Sequence, residues 1–165
     1  MRHKLYIFDF DGTLMDTPLP ETGKEEYFRI TGQKYPHKGW WGRAESLHPG
    51  FNIQPFPEIV KEYERAKADA AGIVVLMTNR MVQHEHRVRE ILREHGLAFD
   101  VYSFKTGNSG KAGRTMHIIN THENEITYVE VWDDMEDQIV EFNKLPQMFE
   151  ADIFLKINKV DNGRV

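Results

Sequence analysis

The feature that most constrains the fold is an apolar run that ends in two aspartates, LYIFDFDGTL from Leu5 to Leu14. Its apolar residues include β-branched and aromatic side chains, show no helical period and stop at Gly12. They predict a strand that is covered on both faces, as in a parallel sheet. Ligands of such sheets bind beyond the carboxyl ends of the strands. Asp9 and Asp11 would repel each other there unless a cation or a proton compensates them, so they predict a site for a hard divalent metal.

The same pair of carboxylates suits phosphoryl transfer. A carboxylate that attacks phosphorus forms an acyl phosphate that water can cleave, and a neighbouring carboxyl can protonate the leaving oxygen and later deprotonate that water. An Asp-rich turn is the alternative interpretation of an Asp-Gly pair. Here the acid pair lies directly on an apolar strand and is followed by Gly-Thr, which favours a catalytic site.

The segment FDFDGTL resembles the first motif of the haloacid dehalogenase-like (HAD) hydrolases, in which an apolar run precedes Asp, any residue, Asp, Gly and Thr. The resemblance implies that Asp9 is the nucleophile that becomes phosphorylated and that Asp11 is the general acid and base. It implies a phosphatase rather than a dehalogenase, because cleavage of a carbon–halogen bond needs no leaving-group acid. The implied fold is α/β, a Rossmann-like doubly wound parallel sheet with a small cap insertion after the first strand.

The length of 165 residues predicts a single domain over residues 1–165. The first residues lead straight into a strand rather than an apolar leader, so we expect a cytoplasmic protein with no membrane contact. A formal charge of −5 argues against a broad basic surface for duplex nucleic acid, but it leaves the binding of one strand end open. The absence of cysteine excludes disulfides and thiolate ligands. Nothing in the sequence indicates the oligomeric state or a partner protein.

The segment from about 16 to 56 is rich in Pro and Gly, and only Lys24 to Ile30 predict a short helix within it. In HAD hydrolases an insertion at this place forms a cap, and this one is short enough to leave the site open. Trp40, Trp41 and Arg43 are candidates for substrate binding, because Trp can stack on a base and a nearby basic residue can steer a phosphate. The alternative is that the Trp side chains pack the insertion onto the domain, or that one Trp takes each role.

The apolar run IVVLM at residues 73–77 predicts a second core strand, which ends in Thr78, Asn79 and Arg80. A hydroxyl at a strand end can bond a phosphoryl oxygen, and the pattern resembles the second HAD motif, which gives Thr78 that role. Arg80 stands where HAD nucleic-acid end-phosphatases carry an Arg, and its planar fork suits a phosphate. A helix-end salt bridge is the alternative for Arg80. Asn79 is also expected to bind the substrate.

The third HAD motif is a Lys or Arg that offsets the carboxylates and holds the phosphate. Lys111 stands at the start of a predicted helix that reaches Asn120. Arg114 precedes Asp133 by 19 residues, a spacing like that of polynucleotide 3′-phosphatases. Lys105 is a third candidate. The resemblance requires one of the three in the site and leaves the choice open.

The apolar run at 126–132 predicts the last core strand, which is followed by Asp133 and Asp134. This resembles the fourth HAD motif, and it implies a Mg²⁺ shell formed by Asp9, the Asp11 backbone carbonyl and Asp133, with Asp134 or Asp137 close by. An acidic helix N-cap is a compatible alternative. We predict a final strand over Asp152 to Val160.

Three histidines, His84, His86 and His95, lie on the helix predicted over residues 83–95. His84 and His86 are two residues apart and diverge on a helix, and no Cys accompanies them. We therefore interpret them as a solvated face rather than a metal cluster.

The HAD resemblance spans about residues 4 to 145, and its closest subgroup is the "Swiss Army Knife RNA repair-like" HAD proteins. That similarity rests on TPLP at 17–20, the Trp pair, LMTNR at 76–80 and GLAFD at 96–100. It implies a Mg²⁺-dependent phosphomonoesterase acting on a nucleotide or on the 3′ end of a single-stranded nucleic acid. The alternatives are a phosphatase for small metabolites such as sugar phosphates, and a non-catalytic phosphate-binding module on the same scaffold.

Overall fold

A five-stranded parallel sheet forms the centre of the computed structural model, which describes residues 1–165. The strands of the chain are β1 (Lys4–Phe8), β2 (Met15–Asp16), β3 (Gln54–Pro55), β4 (Gly72–Met81), β5 (Val101–Lys105), β6 (Tyr128–Asp133) and β7 (Phe154–Lys159). The α-helices are α1 (Pro20–Thr31), α2 (Pro57–Ala68), α3 (Glu85–Glu94), α4 (Lys111–Thr121), α5 (Glu136–Phe142) and α6 (Leu145–Met148). Two short 3₁₀ turns cover Ala44–Leu47 and Val82–His84.

The strand order in the main sheet is β5-β4-β1-β6-β7, with β1 in the middle and every neighbouring pair parallel. Alternate residues of β1 face opposite sides, as the two-residue period of a strand requires. Leu5 and Ile7 belong to a core packed against α4, α5 and α6, whereas Tyr6 and Phe8 belong to a larger core packed against α2 and α3. Helices therefore cover both faces, and the predicted α/β doubly wound parallel sheet is confirmed.

The larger core is built around aromatic side chains at the centre of the sheet. The rings of Phe8 and Trp132 stack with their centroids 4.3 Å apart across the β1–β6 pair. Tyr63 and Phe99 meet Phe8 edge-on from the neighbouring helix and loop. This packing fixes the strand positions immediately before Asp9 and Asp133, so the two carboxylates start from rigid backbone.

The insertion contains more regular structure than the sequence predicts. Its helix, α1, begins at Pro20 rather than at Lys24 and includes Gly23. That glycine is required because a Cβ atom there would lie 2.3 Å from the ring of Trp40. A two-stranded antiparallel sheet of β2 and β3 closes the base of the insertion, which shares the larger core.

The prediction of a solvated histidine face is wrong for two of the three histidines. His84 is buried and its Nε2 lies 3.0 Å from the carbonyl oxygen of Gly42, while Nε2 of His95 lies 2.9 Å from that of Ile53. Both contacts tie the region of α3 to the insertion. Only His86 is exposed, with its side chain 87% accessible. None of the helices is both long and apolar enough to cross a bilayer.

Candidate functional site

The carboxyl ends of β1, β4 and β6 meet at one edge of the sheet. Asp9 directly follows β1, Thr78 lies near the end of β4, and Asp133 is the last residue of β6. Because β1 is flanked by β4 on one side and β6 on the other, this edge is the point at which a doubly wound sheet opens a crevice. A cavity of about 540 Å³ lies there. Its polar lining includes Asp9, Asp11, Thr78, Arg80, Lys111 and Asp134.

Lys111 lies between the first and the fourth predicted motifs. Its Nζ donates hydrogen bonds to Asp9 Oδ1 at 3.0 Å and to Asp133 Oδ2 at 2.6 Å, and the residue is only 1% exposed. The helix α4 begins at Lys111, which places the ammonium group at the carboxyl edge of the sheet. Among the three candidates for the third motif, Lys111 is the one in contact with the acids.

Asp134 is held against the loop that follows β1. Thr13 Oγ1 bridges two carboxylates, at 3.3 Å from Asp9 Oδ2 and 3.1 Å from Asp134 Oδ1. Gly12 has a positive φ of 73°, and a Cβ atom at this position would lie 2.4 Å from Asp134 Oδ2. The Asp-Gly-Thr sequence is therefore needed for both its backbone conformation and the space it leaves for Asp134.

The charges in this cluster shift its pKa values. Burial, with the neighbouring charge of Asp9, raises the pKa of Asp133 to about 7, although Lys111 opposes the shift. Burial and Asp9 likewise raise the pKa of Asp134 to about 8. Burial lowers the pKa of Lys111, but the two carboxylates outweigh that effect, so its pKa rises. The cluster thus holds more negative charge than one ammonium group compensates.

These shifts make the stability of the fold depend on pH. The folded protein keeps protons on Asp133 and Asp134 that the unfolded chain, with its ordinary Asp pKa of 3.8, releases. The stability contributed by these carboxyls is therefore present at low pH and is lost as the pH rises from about 4 to about 8. A divalent cation would offset the loss, because it stabilises the ionised carboxylates.

The residues present fit such a cation. Carboxylate oxygens of Asp9, Asp133 and Asp134 lie within 4.8 Å of one another. Three carboxylates and the Lys111 ammonium leave an excess of two negative charges, which is the charge of one divalent ion. All the candidate ligand atoms are oxygens, which hard cations such as Mg²⁺ prefer. Asp137, the other acid considered for this shell, is exposed on the rim of the cavity.

The carboxylate of Asp11 bonds Arg80, whereas that of Asp9 bonds Lys111. Arg80 forms a two-pronged ion pair with it, since Nε and Nη2 each donate to a different carboxylate oxygen at 2.8 Å. Thr17 Oγ1 donates to Asp11 Oδ1, also at 2.8 Å. The sequence-based expectation that Arg80 holds a phosphate does not fit this arrangement, because its fork is occupied by Asp11.

Thr78 and Asn79 lie where the β4–β5 register shifts, between Met77 and Met81. Thr78 is buried against the cavity, and its Oγ1 accepts a hydrogen bond from the backbone N–H of Arg80 at 3.1 Å, which leaves the hydroxyl hydrogen free to donate. Asn79 also lines the cavity, but its Oδ1 accepts from Arg114 Nη2 at 2.7 Å. The position predicted for Thr78 thus faces the cavity.

Arg114 lies beneath the strand ends and not in the cavity. Its Nη1 donates to the carbonyl oxygens of Thr78 and Ser103, at 2.9 and 3.1 Å, close to the place where the register of the β4–β5 pair shifts. Burial lowers its pKa to about 10, and Asp9 partly opposes the shift. The prediction of Arg114 as the third-motif residue, which offsets the carboxylates and holds the phosphate, does not fit this placement, because the side chain supports the backbone around Thr78. Lys105 is half-buried in β5 and does not line the cavity.

The two adjacent tryptophans have different environments. Trp40 is 3% exposed, and its ring packs on Tyr35 and Phe51 while its Nε1 donates to the Pro18 carbonyl at 2.7 Å. The prediction of Trp40 as a substrate-binding residue is therefore wrong. Trp41 is 37% exposed and lines the cavity. Arg43 is exposed but does not line the cavity, so its predicted contact with substrate is not supported by its position.

Three hydroxyl residues around the acids are not predicted from the sequence. Thr13 bonds Asp9 and Asp134, Thr17 bonds Asp11, and Ser46 bonds Arg80 at 2.9 Å. All three residues are polar and buried, and their hydroxyl groups bond the side chains of the site. Thr13 and Thr17 carried a usable sequence signal, since they lie within six residues of Asp11. Ser46 carried none, because its approach depends on the path of the insertion.

Comparisons with solved structures support the fold. A haloacid dehalogenase-like family hydrolase from Streptococcus pneumoniae matches 86% of this chain and 80% of its own, with 16% identity and a TM-score of 0.58. The Pnkp1/Rnl/Hen1 RNA repair complex and a second structure of the Pnkp1/Rnl/Hen1 complex match 98% and 99% of this chain, with identities of 14% and 16% and TM-scores of 0.58 and 0.59.

This chain spans less than half of the matched chain in each Pnkp1/Rnl/Hen1 structure, 43% and 48%. No protein-family model and no curated protein matches the sequence. The predicted resemblance to HAD-like proteins is thus confirmed at the level of the fold. The identities are too low to carry activity or substrate.

Proposed function

We propose that this chain, which has the fold of the HAD-like hydrolases, is a Mg²⁺-dependent phosphomonoesterase that forms a phosphoaspartate on Asp9. The observation that carries the proposal is the arrangement of Asp9, which is 6% exposed, lines the cavity and is held by Lys111 and Thr13. A carboxylate held in this way keeps a fixed orientation at the cavity.

The reaction takes two balanced steps. An oxygen of Asp9 attacks phosphorus, the bond between phosphorus and the leaving oxygen breaks, and that oxygen takes a proton from the Asp11 carboxyl. Water then attacks the phosphorus of the acyl phosphate and gives its proton to Asp11, and the bond between Asp9 and phosphorus breaks. Asp9 and Asp11 return to their starting states, and the products are an alcohol and inorganic phosphate.

The surrounding residues prepare these steps. Lys111 holds Asp9 in place through a hydrogen bond, and Thr78 can donate its hydroxyl hydrogen to a phosphoryl oxygen. Asp9, Asp133 and Asp134 would hold Mg²⁺, with the Asp11 backbone carbonyl as a further ligand. Bound there, the ion would neutralise charge on the phosphoryl oxygens. Lys111 and Arg80, the basic residues of the cavity lining, are both buried and paired with carboxylates, so an anionic substrate gains little from the protein's own charges.

A nucleotide, or the terminal nucleotide of a single-stranded 3′ end, is the substrate we propose. Trp41 supports this proposal, because it offers an aromatic surface beside the cavity on which a base can stack. The similarity to structures of an RNA repair complex is consistent with it. One observation favours the alternative of a small phosphorylated metabolite: the exposed carboxylates of Asp16, Asp137 and Asp161 line the same cavity and would repel further phosphates of a long strand.

A substrate panel tests the proposal. We expect hydrolysis of p-nitrophenyl phosphate, of nucleoside 3′-monophosphates and of 3′-phosphorylated oligonucleotides, with all activity lost in excess chelator and restored by Mg²⁺. Ca²⁺ should restore it poorly, because its longer and looser coordination misplaces the reacting groups. Sugar phosphates turned over much faster than any nucleotide would favour the metabolite alternative. No turnover of any phosphomonoester with Mg²⁺ would leave only a non-catalytic binding module.

The two tryptophans give a matched pair of variants for the substrate. Trp41→Ala should weaken binding of a 3′-phosphorylated nucleotide by about 1–3 kcal/mol, with little change toward p-nitrophenyl phosphate, if a base stacks on this ring. Trp40→Ala should instead lower the stability of the protein by about 3–5 kcal/mol, because it removes a buried ring from the insertion.

KM values for both substrates, together with thermal melting, separate the two effects. An equal loss of activity toward both substrates in Trp41→Ala would contradict the stacking role. It would leave the phosphatase chemistry itself unaffected.

A further inference from the structure

The guanidinium of Arg80 is almost fully used by contacts within the protein. Beyond the two bonds to Asp11, Nη1 donates to the backbone carbonyl of Trp41 at 2.7 Å and to Ser46 Oγ at 2.9 Å. Four of its five N–H groups are therefore engaged. The residue is only 3% exposed although it lines the cavity. An Arg that binds substrate needs a free pair of N–H groups, and Arg80 has none.

The bonds around Asp11 distinguish its two oxygens. Oδ1 accepts from both Arg80 Nη2 and Thr17 Oγ1, so its two lone pairs are occupied. Oδ2 accepts only from Arg80 Nε and keeps one lone pair. Oδ2 is therefore the oxygen that can carry and transfer a proton while both hydrogen bonds from Arg80 to Asp11 stay in place.

Arg80 also connects this carboxyl to the insertion. Trp41 and Ser46 both lie in the segment between β2 and β3, and Ser46 is fully buried. The ring of Trp41 lies over the same guanidinium, 5.8 Å from its centre. One side chain thus joins the end of β4, the loop after β1 and the wall of the cavity formed by the insertion.

We infer that Arg80 is a positioning residue, which orients the Asp11 carboxyl for proton transfer through Oδ2 and ties that orientation to the insertion, and that it does not bind the substrate phosphate. The inference rests on the proposed function, in which Asp11 is the general acid and base. Proton transfer by Asp11 then depends on Arg80, a residue that does not itself contact the substrate.

The leaving group provides the test. An alkoxide, as in a nucleoside 3′-monophosphate, must be protonated as it leaves, whereas p-nitrophenolate is a stable anion and leaves without a proton. A residue that acts through Asp11 therefore matters for the first substrate and not for the second in the step that phosphorylates Asp9. A residue that binds the phosphoryl group matters equally for both.

The experiment is a rapid-mixing measurement of the first turnover by wild type, Arg80→Lys, Asp11→Asn and the double variant. Arg80→Lys keeps the charge but loses the two-pronged geometry. We expect it to slow first-turnover release of the nucleoside by about 100-fold or more, and first-turnover release of p-nitrophenolate by less than about threefold. In the Asp11→Asn background, Arg80→Lys should cause no further loss on either substrate.

Equal losses on the two substrates, or a raised KM for both, would overturn the inference in favour of phosphate binding. Additive losses in the double variant would overturn it as well. If the wild-type protein fails to phosphorylate Asp9 with either substrate, both the proposed function and this inference are contradicted. If the wild type is active and Arg80→Lys slows both substrates equally, only this inference is contradicted.

Ser46→Ala provides a milder second variant in case Arg80→Lys folds poorly. It removes one bond to Nη1 and leaves the ion pair with Asp11, so a smaller loss with the same selectivity for the nucleotide is expected. An unselective loss in Ser46→Ala would contradict the connection to the insertion. Arg93→Lys is the matched control, since Arg93 is exposed and does not line the cavity. Thermal melting of each variant checks the fold.

Discussion

Phosphate release should fall roughly a thousandfold or more when Asp9 is replaced by Asn, because the amide keeps the shape of the side chain and removes the nucleophile. The variant should fold normally. Its melting temperature at pH 8 should equal or exceed that of wild type, since Asp133 and Asp134 lose a repelling neighbour and Lys111 keeps Asp133 as partner. Steady-state phosphate release and thermal melting measure the two effects.

Mass spectrometry of enzyme quenched during turnover adds a direct check, because wild type should carry a phosphoryl group on the peptide that contains Asp9. Asp152→Asn serves as a control, since Asp152 is exposed and does not line the cavity. Near-wild-type turnover by folded Asp9→Asn would contradict the phosphoaspartate mechanism. A loss of activity that merely follows a loss of stability would leave Asp9 as a structural residue.

The ends of the three central strands could be predicted from the sequence, because in each of them a mostly apolar stretch gives way to a polar residue. Asp9, Thr78 and Asp133 were placed in this way, and all three meet at the carboxyl edge of the sheet. The parallel arrangement makes this inference sound, since it sends all carboxyl ends to one edge.

The choice between Lys111 and Arg114 could not be made in the same way. Both stand on α4 within one turn of each other, and sequence spacing does not show which side chain turns toward the acids. The tertiary structure separates them, because Arg114 donates to the carbonyl oxygens of Thr78 and Ser103, near the register shift between β4 and β5. Lys111, at the first position of the helix, is left to face Asp9 and Asp133.

The partner of Arg80 was missed for a related reason. A planar fork at a presumed phosphate site predicts a phosphate contact, but a carboxylate offers the fork the same geometry. Asp11 and Arg80 are 69 residues apart in sequence, and the insertion supports the guanidinium through Trp41 and Ser46. Such long-range contacts leave no trace in local sequence patterns.

Lys111→Met should cause the largest loss of stability of any single change in the site. It removes the only cation bonded to Asp9 and Asp133 and leaves these buried carboxylates facing each other. Removal of one partner from a buried ion pair costs about 3–5 kcal/mol, or roughly 10 °C in melting temperature for a chain of this size. Phosphatase activity should be lost as well, since Asp9 loses its orienting contact.

The pH dependence of that loss identifies its cause. Asp133 and Asp134 take up protons below their raised pKa values, so the difference in melting temperature between Lys111→Met and wild type should be larger at pH 8 than at pH 5.5. Mg²⁺ should recover part of the difference at pH 8, because it restores positive charge to the same carboxylates. Lys105→Met, which removes a half-buried lysine outside the cavity, should show neither the pH dependence nor the recovery. A melting temperature for Lys111→Met that matches wild type at every pH would show that Lys111 does not compensate the acids.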